Sequence, residues 1–315
     1  MNRPVSALAA ASCLLAIAGC SSSTDNGSIQ IVTDDDAGTF TASPAVTKLS
    51  VLALSGDAGT TLASASLPAS TIDLGTLPEN DTVVTIAIQG TDATHAQRVY
   101  GASLPIDYTG LAGLTLPVFV QRDGQMAKLP GPLSGRGSPL LSIVQGEYLL
   151  VAGGSQASLA TTSQLYDFGF LAALGSPPPL PVAPRSIALA GTVAWLIGDT
   201  TAEYFDFSSG ATASLTLPTG VTPADIAGGA TVIDPTTGAQ YIVGATRTTG
   251  AATAKVLKVD PNDVSNTNYP YGNTTLITLS APRLGAAAAW STGYDLVVAG
   301  GSPTAAGVEV VMNGA

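Results

Sequence analysis

An internal repeat constrains this chain more than any other feature. Tyr148-Leu149-Leu150-Val151-Ala152-Gly153-Gly154 returns as Asp295-Leu296-Val297-Val298-Ala299-Gly300-Gly301. Two weaker copies lie between them, Val193-Ala194-Trp195-Leu196-Ile197-Gly198-Asp199 and Gln240-Tyr241-Ile242-Val243-Gly244-Ala245. Each copy is followed by a second run: Gln164-Leu165-Tyr166-Asp167-Phe168, Ala202-Glu203-Tyr204-Phe205-Asp206-Phe207, Lys255-Val256-Leu257-Lys258-Val259-Asp260 and Val308-Glu309-Val310-Val311. A further candidate strand precedes each, introduced by Pro184-Arg185 in one unit and Pro282-Arg283 in another. The spacing is ~40–50 residues, with the last interval longer, and fits a four-stranded sheet repeated radially. Strands that are apolar throughout need cover on both faces, and stacked neighbouring sheets supply it. The glycine pairs fit tight turns at positive φ.

Composition agrees with an all-β body. Only 10% of residues are charged and 45% are hydrophobic. Lys, Glu and Gln, the usual helix formers, are scarce, while Thr and Val favour strands. The formal net charge of -11 repels a phosphate backbone, so no nucleic-acid partner is expected.

Before the repeat, from about 43 to 124, short strand-like runs alternate with turn residues. They are Lys48–Leu54, Thr71–Leu74, Thr82–Gly90, Gln97–Ala102 and Leu114–Gln121, with breaks at Ser55–Gly59 and Pro78–Asp81. Turns roughly every ten residues predict a small antiparallel sandwich, immunoglobulin-like in architecture. Residues 125–138, rich in Pro and Gly, read as a linker, and 139–315 as the repeated region.

The amino terminus carries a different signal. Arg3 is followed by an uncharged apolar stretch, Ala7–Ala18, too short for a transmembrane helix of ~20 residues but suited to a signal peptide over 1–19. The leader ends in Ile17-Ala18-Gly19-Cys20, which resembles the bacterial lipobox. That resemblance implies cleavage before Cys20, a diacylglycerol thioether on its thiol and attachment to a membrane through lipid. Two or three acyl chains anchor stably where one is marginal. Ser21 at the next position resembles lipoproteins sorted to the outer membrane. Residues 20–42, with Ser21-Ser22-Ser23-Thr24 and Asp34-Asp35-Asp36, read as a flexible polar tether. Cys13 and Cys20 are the two cysteines, so the mature chain is expected to hold no disulfide.

The repeat resembles the kelch family of β-propellers. Gly153-Gly154 with Tyr166-Asp167, Pro184-Arg185 with Tyr204-Phe205-Asp206, and Pro282-Arg283 with Gly300-Gly301 carry the resemblance. The match departs from the family pattern. Only the first and last units keep both glycines, and Trp195 and Trp290 fall on earlier strands than the family places them. A different all-β repeat or a second sandwich fits the same periodicity. Three units read as complete and a fourth runs into Val310–Ala315. Closed propellers have roughly 4–8 blades, so the expectation is the amino-terminal part of a longer protein, or a blade completed by another chain.

His95 is the single histidine, in a predicted hairpin tip before the repeat, and supports neither a triad nor paired imidazole ligands. Copper chemistry like that of galactose oxidase needs histidines and a cysteine absent from the repeat. Arg136, Arg185, Arg247 and Arg283 do not form the cluster expected of a sialidase-like site. Asp260–Asn266 lacks the sixth-position glycine of a calcium loop, and Asp34–Asp36 reads as solvated linker. Pro177–Pro179 reads as a stiff loop. The sequence therefore predicts an all-β lipoprotein: a small immunoglobulin-like β-sandwich followed by a partial kelch-like β-propeller. It is expected to bind a protein or glycan through propeller loops, with no catalytic residue, cofactor or metal. The rival expectations are an enzyme whose active residues lie beyond residue 315 and a purely structural envelope component.

Overall fold

The computed structural model describes residues 26–312 except 34–37, 56–57, 77–82, 108, 132, 176, 245–250, 264–271 and 302–306. Its contacts separate two units, Met1–Leu133 with Tyr166–Ala173, and Ser134–Leu165 with Leu174–Ala315. Cys20 lies outside the described residues.

The first unit contains β1 (Asn26–Val32), β2 (Lys48–Ser55), β3 (Ala58–Ser66), β4 (Thr71–Thr76), β5 (Val83–Thr91), β6 (Gln97–Asp107), β7 (Thr115–Phe119) and β8 (Gln121–Arg122). They form a three-stranded sheet of order β4-β1-β7 and a five-stranded sheet of order β3-β2-β5-β6-β8. Alternate residues face inward, so Leu49, Val51, Ile86, Ile88 and Val99 of one sheet meet Ile29, Ile72 and Val118 of the other in a single core.

Two expectations need correction here. The flexible tether predicted over 20–42 is partly structured. Asn26–Val32 is β1, whose Ile29 is fully buried. Further on, the Arg122 guanidinium donates to the carbonyls of Thr39, Ala42 and Pro44, holding that segment in place. Local composition hides both features because the partners are remote in sequence. The unit is also not wholly antiparallel, since β1 runs parallel to β7 from Ser28↔Thr115 to Val32↔Phe119.

The second array of strands is β9 (Leu140–Val144), β10 (Tyr148–Ala152), β11 (Ser163–Asp167), β12 (Ala172–Ala173), β13 (Ser186–Ala190), β14 (Val193–Ile197), β15 (Ala202–Asp206), β16 (Thr212–Ser214), β17 (Ala230–Ile233), β18 (Gln240–Val243), β19 (Thr253–Asp260), β20 (Asn273–Arg283), β21 (Ala287–Ser291), β22 (Asp295–Ala299) and β23 (Val308–Val311). One short helix, α1 (Pro223–Ile226), precedes β17; Thr222 and Asp225 form its capping box. The strands make four consecutive meanders of order β9 to β12, β13 to β16, β17 to β20 and β21 to β23. Every repeat copy found in the sequence is the second strand of a meander: β10, β14, β18 or β22.

Register shows why both faces of these strands are apolar. In the second sheet, Ile187, Leu189, Ala194 and Leu196 share one face and Ala188, Trp195 and Ile197 the other. The former pack on Val144, Leu150 and Ala152 of the first sheet, the latter on Ile242, Leu257 and Val259 of the third. The third sheet then turns Tyr241, Val243 and Val256 toward Leu296 and Val298 of the fourth. Tyr241 and Trp290 stack across that junction with ring centroids 5.5 Å apart. The sheets are thus joined face to face in sequence order, and β9, β13, β17 and β21 are the leading strands.

Candidate functional site

The leading strands position the candidate site. A cavity of about 480 Å³ is lined by Leu140, Leu141 and Ile143 of β9, Ile187 and Leu189 of β13, and Ile233 of β17, among others. That volume lies within the roughly 300–1,000 Å³ range of small-molecule and side-chain pockets. Leu141, Ile143 and Ile233 are more than half exposed at its wall, an unusual grouping of large apolar side chains for a surface.

Two of the polar side chains at this cavity, Gln240 and Ser186, are already engaged. The Gln240 side chain accepts a hydrogen bond from the Leu189 N–H at 2.6 Å and donates to the Leu189 carbonyl, tying the second sheet to the third. The Ser186 hydroxyl donates to the Ile226 carbonyl at 3.1 Å. Among the described residues, no charged side chain, histidine or cysteine lines the cavity. Its walls offer shape and apolar surface rather than an acid, base or nucleophile.

Arginines organise the turns around the array. Arg136 Nη1 donates to the carbonyls of Gly153, Leu159 and Thr162. Arg283 Nη1 donates to the Gly300 carbonyl at 2.7 Å, and its Nη2 faces Glu309. Arg185 instead forms a forked pair with Asp199. These cations are committed to backbone and neighbouring carboxylates in three separate sheets. Arg247 lies outside the described residues.

Aspartates close the following strands. Asp167, Asp206 and Asp260 each end the third strand of a meander and accept a backbone N–H two residues on, from Gly169, Ser208 and Asn262. Burial opposes ionisation of Asp206, but hydrogen bonds from Ser208 and Ser209 outweigh it and hold the carboxyl below its ordinary range. For Asp260 this places the residue in a turn; Val264–Asn266 of the calcium-loop motif lie outside the described residues.

His95 sits at an exposed hairpin tip of the first unit with φ 66°. Beside it, hydrogen bonds from Thr94 and then Arg98 hold the buried Asp92 carboxyl well below the usual carboxylate range. The Asp92 cluster fixes the hairpin and uses its acceptors on that task. Among the described residues, no group of three or more His, Cys, Asp or Glu side chains is placed to hold a metal ion.

Sequence reasoning assigned Arg185 and Arg283 to a structural position but missed Arg136. The missing signal was spacing, since Arg136 precedes Gly153 by the same 17 residues that separate Arg283 from Gly300. The cavity itself was not legible, because its lining comes from leading strands that the repeat marks only weakly.

No protein-family model and no curated protein matches the chain. Among solved structures, a nidogen/laminin complex matches with a TM-score of 0.36 and 10% identity, covering 80% of this chain and 85% of that one. Apo AztD from Citrobacter koseri matches with a TM-score of 0.35 and 10% identity, covering 81% of this chain and 77% of that one.

Proposed function

We propose that this chain is a membrane-anchored lipoprotein, most simply of the outer membrane, whose repeated sheets form a kelch-like β-propeller that binds a partner without catalysis. Cys20 is the lipid-bearing residue in this reading. The first unit acts with the array as an immunoglobulin-like companion domain. The observation that carries the binding role is the cavity of about 480 Å³ walled by Leu140, Leu141, Ile143, Ile187 and Ile233. With Ser186 and Gln240 engaged, the Ser142 and Thr231 hydroxyls are the side-chain hydrogen-bonding groups its lining offers a sugar, which presents many hydroxyl groups. An apolar protein side chain suits the cavity better than a glycan does.

Anchoring is tested by metabolic labelling with an alkyne palmitate analogue in cells expressing the chain or Cys20→Ser. Label is expected on the former and absent from the latter. Equal label on both, or none on the unmodified chain, contradicts the proposal.

A further inference from the structure

Strand β17 is an edge strand of the third sheet, and an edge presents the main-chain groups that its one neighbour does not use. It pairs with β18 in the register Ala230↔Val243, Thr231↔Ile242, Val232↔Tyr241 and Ile233↔Gln240. Just past its end the Asp234 N–H donates to the Ala239 carbonyl at 2.8 Å, continuing that register. In an antiparallel pair, residues that exchange hydrogen bonds alternate with residues that do not. Ala230 and Val232 therefore bond across to β18, while Thr231 and Ile233 turn their N–H and C=O groups outward. Among the described residues, no group bonds to these four. Both residues are exposed and both line the cavity of about 480 Å³. On β13 the chain itself fills the equivalent need. The Gln240 carboxamide, chemically a peptide-like group, accepts from the Leu189 N–H and donates to the Leu189 carbonyl.

We propose that the occupant of the cavity is an extended peptide segment, which pairs as a strand with β17 at Thr231 and Ile233 and sets an apolar side chain against Leu141 and Ile143. Thr231 and Ile233 lie two residues apart, about 6.7 Å, the repeat at which a strand offers its own N–H and C=O to one side. A peptide backbone thus satisfies two donors and two acceptors together. Main-chain bonds of this kind give affinity for any sequence, and pockets for alternate side chains give choice. Here the choice falls on an aliphatic or aromatic residue, because Leu141 and Ile143 are 61% and 52% exposed at the cavity wall. A charged residue in that place finds no opposite charge among the described lining residues, and burying it unpaired is costly. The inference deepens the reading of the cavity as a binding site and rests on it; it does not depend on lipid at Cys20.

The probe is the pentapeptide acetyl-Thr-Val-Leu-Val-Thr-amide carrying a fluorophore, titrated with the full chain in non-ionic detergent and read by anisotropy against a detergent blank. Saturable binding is expected, weakened by about tenfold or more in Leu141→Asp. Peptides methylated at one backbone nitrogen at a time separate strand pairing from apolar contact alone. The methyl group removes a donor and leaves the side chain unchanged, so a loss of about tenfold is expected at alternate residues. Thr231→Pro deletes an outward N–H and spares the ladder to β18, at the kind of edge position where strands accept proline. It is expected to lose binding with the circular dichroism unchanged, whereas Thr231→Val binds as the unmodified chain does. Where Thr231→Pro fails to fold, the methylated peptides decide alone. Binding that is lost in Leu141→Asp but indifferent to methylation, or weakened alike at every position, overturns strand pairing and leaves the cavity reading standing. Equal loss in Thr231→Val and Thr231→Pro also overturns it. Binding that Leu141→Asp does not change, or no saturable binding below about 1 mM, overturns the inference and the cavity reading together.

Discussion

At the scale of single residues, the array is organised by a few polar side chains that serve its backbone. Arg283 is only 3% exposed, and its guanidinium satisfies carbonyls of the glycine turn while facing Glu309 at 3.4 Å. Removing it strands buried acceptors and a carboxylate together. Arg283→Met is expected to lower stability by about 3 kcal/mol in denaturant titrations followed by tryptophan fluorescence. A loss below about 0.5 kcal/mol contradicts this assignment, because surface substitutions cost no more than that. Both tryptophans, Trp195 and Trp290, lie in the sheets that Arg283 adjoins or neighbours, so the probe reports the right region. The sequence exposed the Pro-Arg pairs at 185 and 283, but the chemistry of the arginines is not uniform. Arg185 pairs with Asp199 at the surface, and the third sheet has Gly229 immediately before its leading strand.

At the scale of elements, legibility followed how local the cause of each strand is. The repeats marked β10, β14, β18 and β22 because continuous apolar runs report cover on both faces, whatever the neighbours are. Alternation likewise marked β2 and β5, whose buried residues lie on one face except for Ala87 of β5. β1 escaped notice because it is stabilised by Thr71–Thr76 and Thr115–Phe119, far along the chain, while its own surroundings read as linker. β3 escaped for another reason. Its small residues, AGTTLASAS, carry no strong pattern and its exposed first half coincides with an apparent break. Helix α1 was hidden by its length, although Thr222 and Asp225 supply a capping signal at the right spacing.

The glycine pairs give the element scale its sharpest test. Gly300 and Gly301 both have left-handed backbone, at φ +69° and +72°. A Cβ on Gly300 meets nothing within 4 Å, whereas one on Gly301 falls 2.7 Å from the Ala286 nitrogen and 2.8 Å from its Cα. Gly300→Ala therefore incurs only the backbone penalty, about 1–2 kcal/mol. Gly301→Ala adds a backbone collision and is expected to cost on the order of 3 kcal/mol or more. Equal losses in thermal or chemical melts of the two variants contradict the turn geometry, since strain alone treats both glycines alike.

At the scale of the whole molecule, the chain joins an all-β body of low charge content to an amino-terminal segment whose Ile17-Ala18-Gly19-Cys20 resembles a lipobox. The contacts group Tyr166–Ala173 with Met1–Leu133 and the remaining residues from Ser134 on with each other, a grouping that no change of pattern near residues 125–138 conveys. What the sequence could not convey is the third dimension of the array: which strand leads each sheet, which faces meet, and where a cavity remains. Those depend on side chains in adjacent sheets, and a linear pattern holds only half of each contact. The proposed function places a lipid anchor at one end and a binding surface at the other. Its anchor is tested most directly by the intact mass and amino-terminal peptide of the protein isolated from its native membrane. The account predicts a chain starting at Cys20 with the added mass of a diacylglycerol, and of an N-acyl chain where that modification follows. An unmodified Cys20, or a mature chain starting anywhere else, contradicts it.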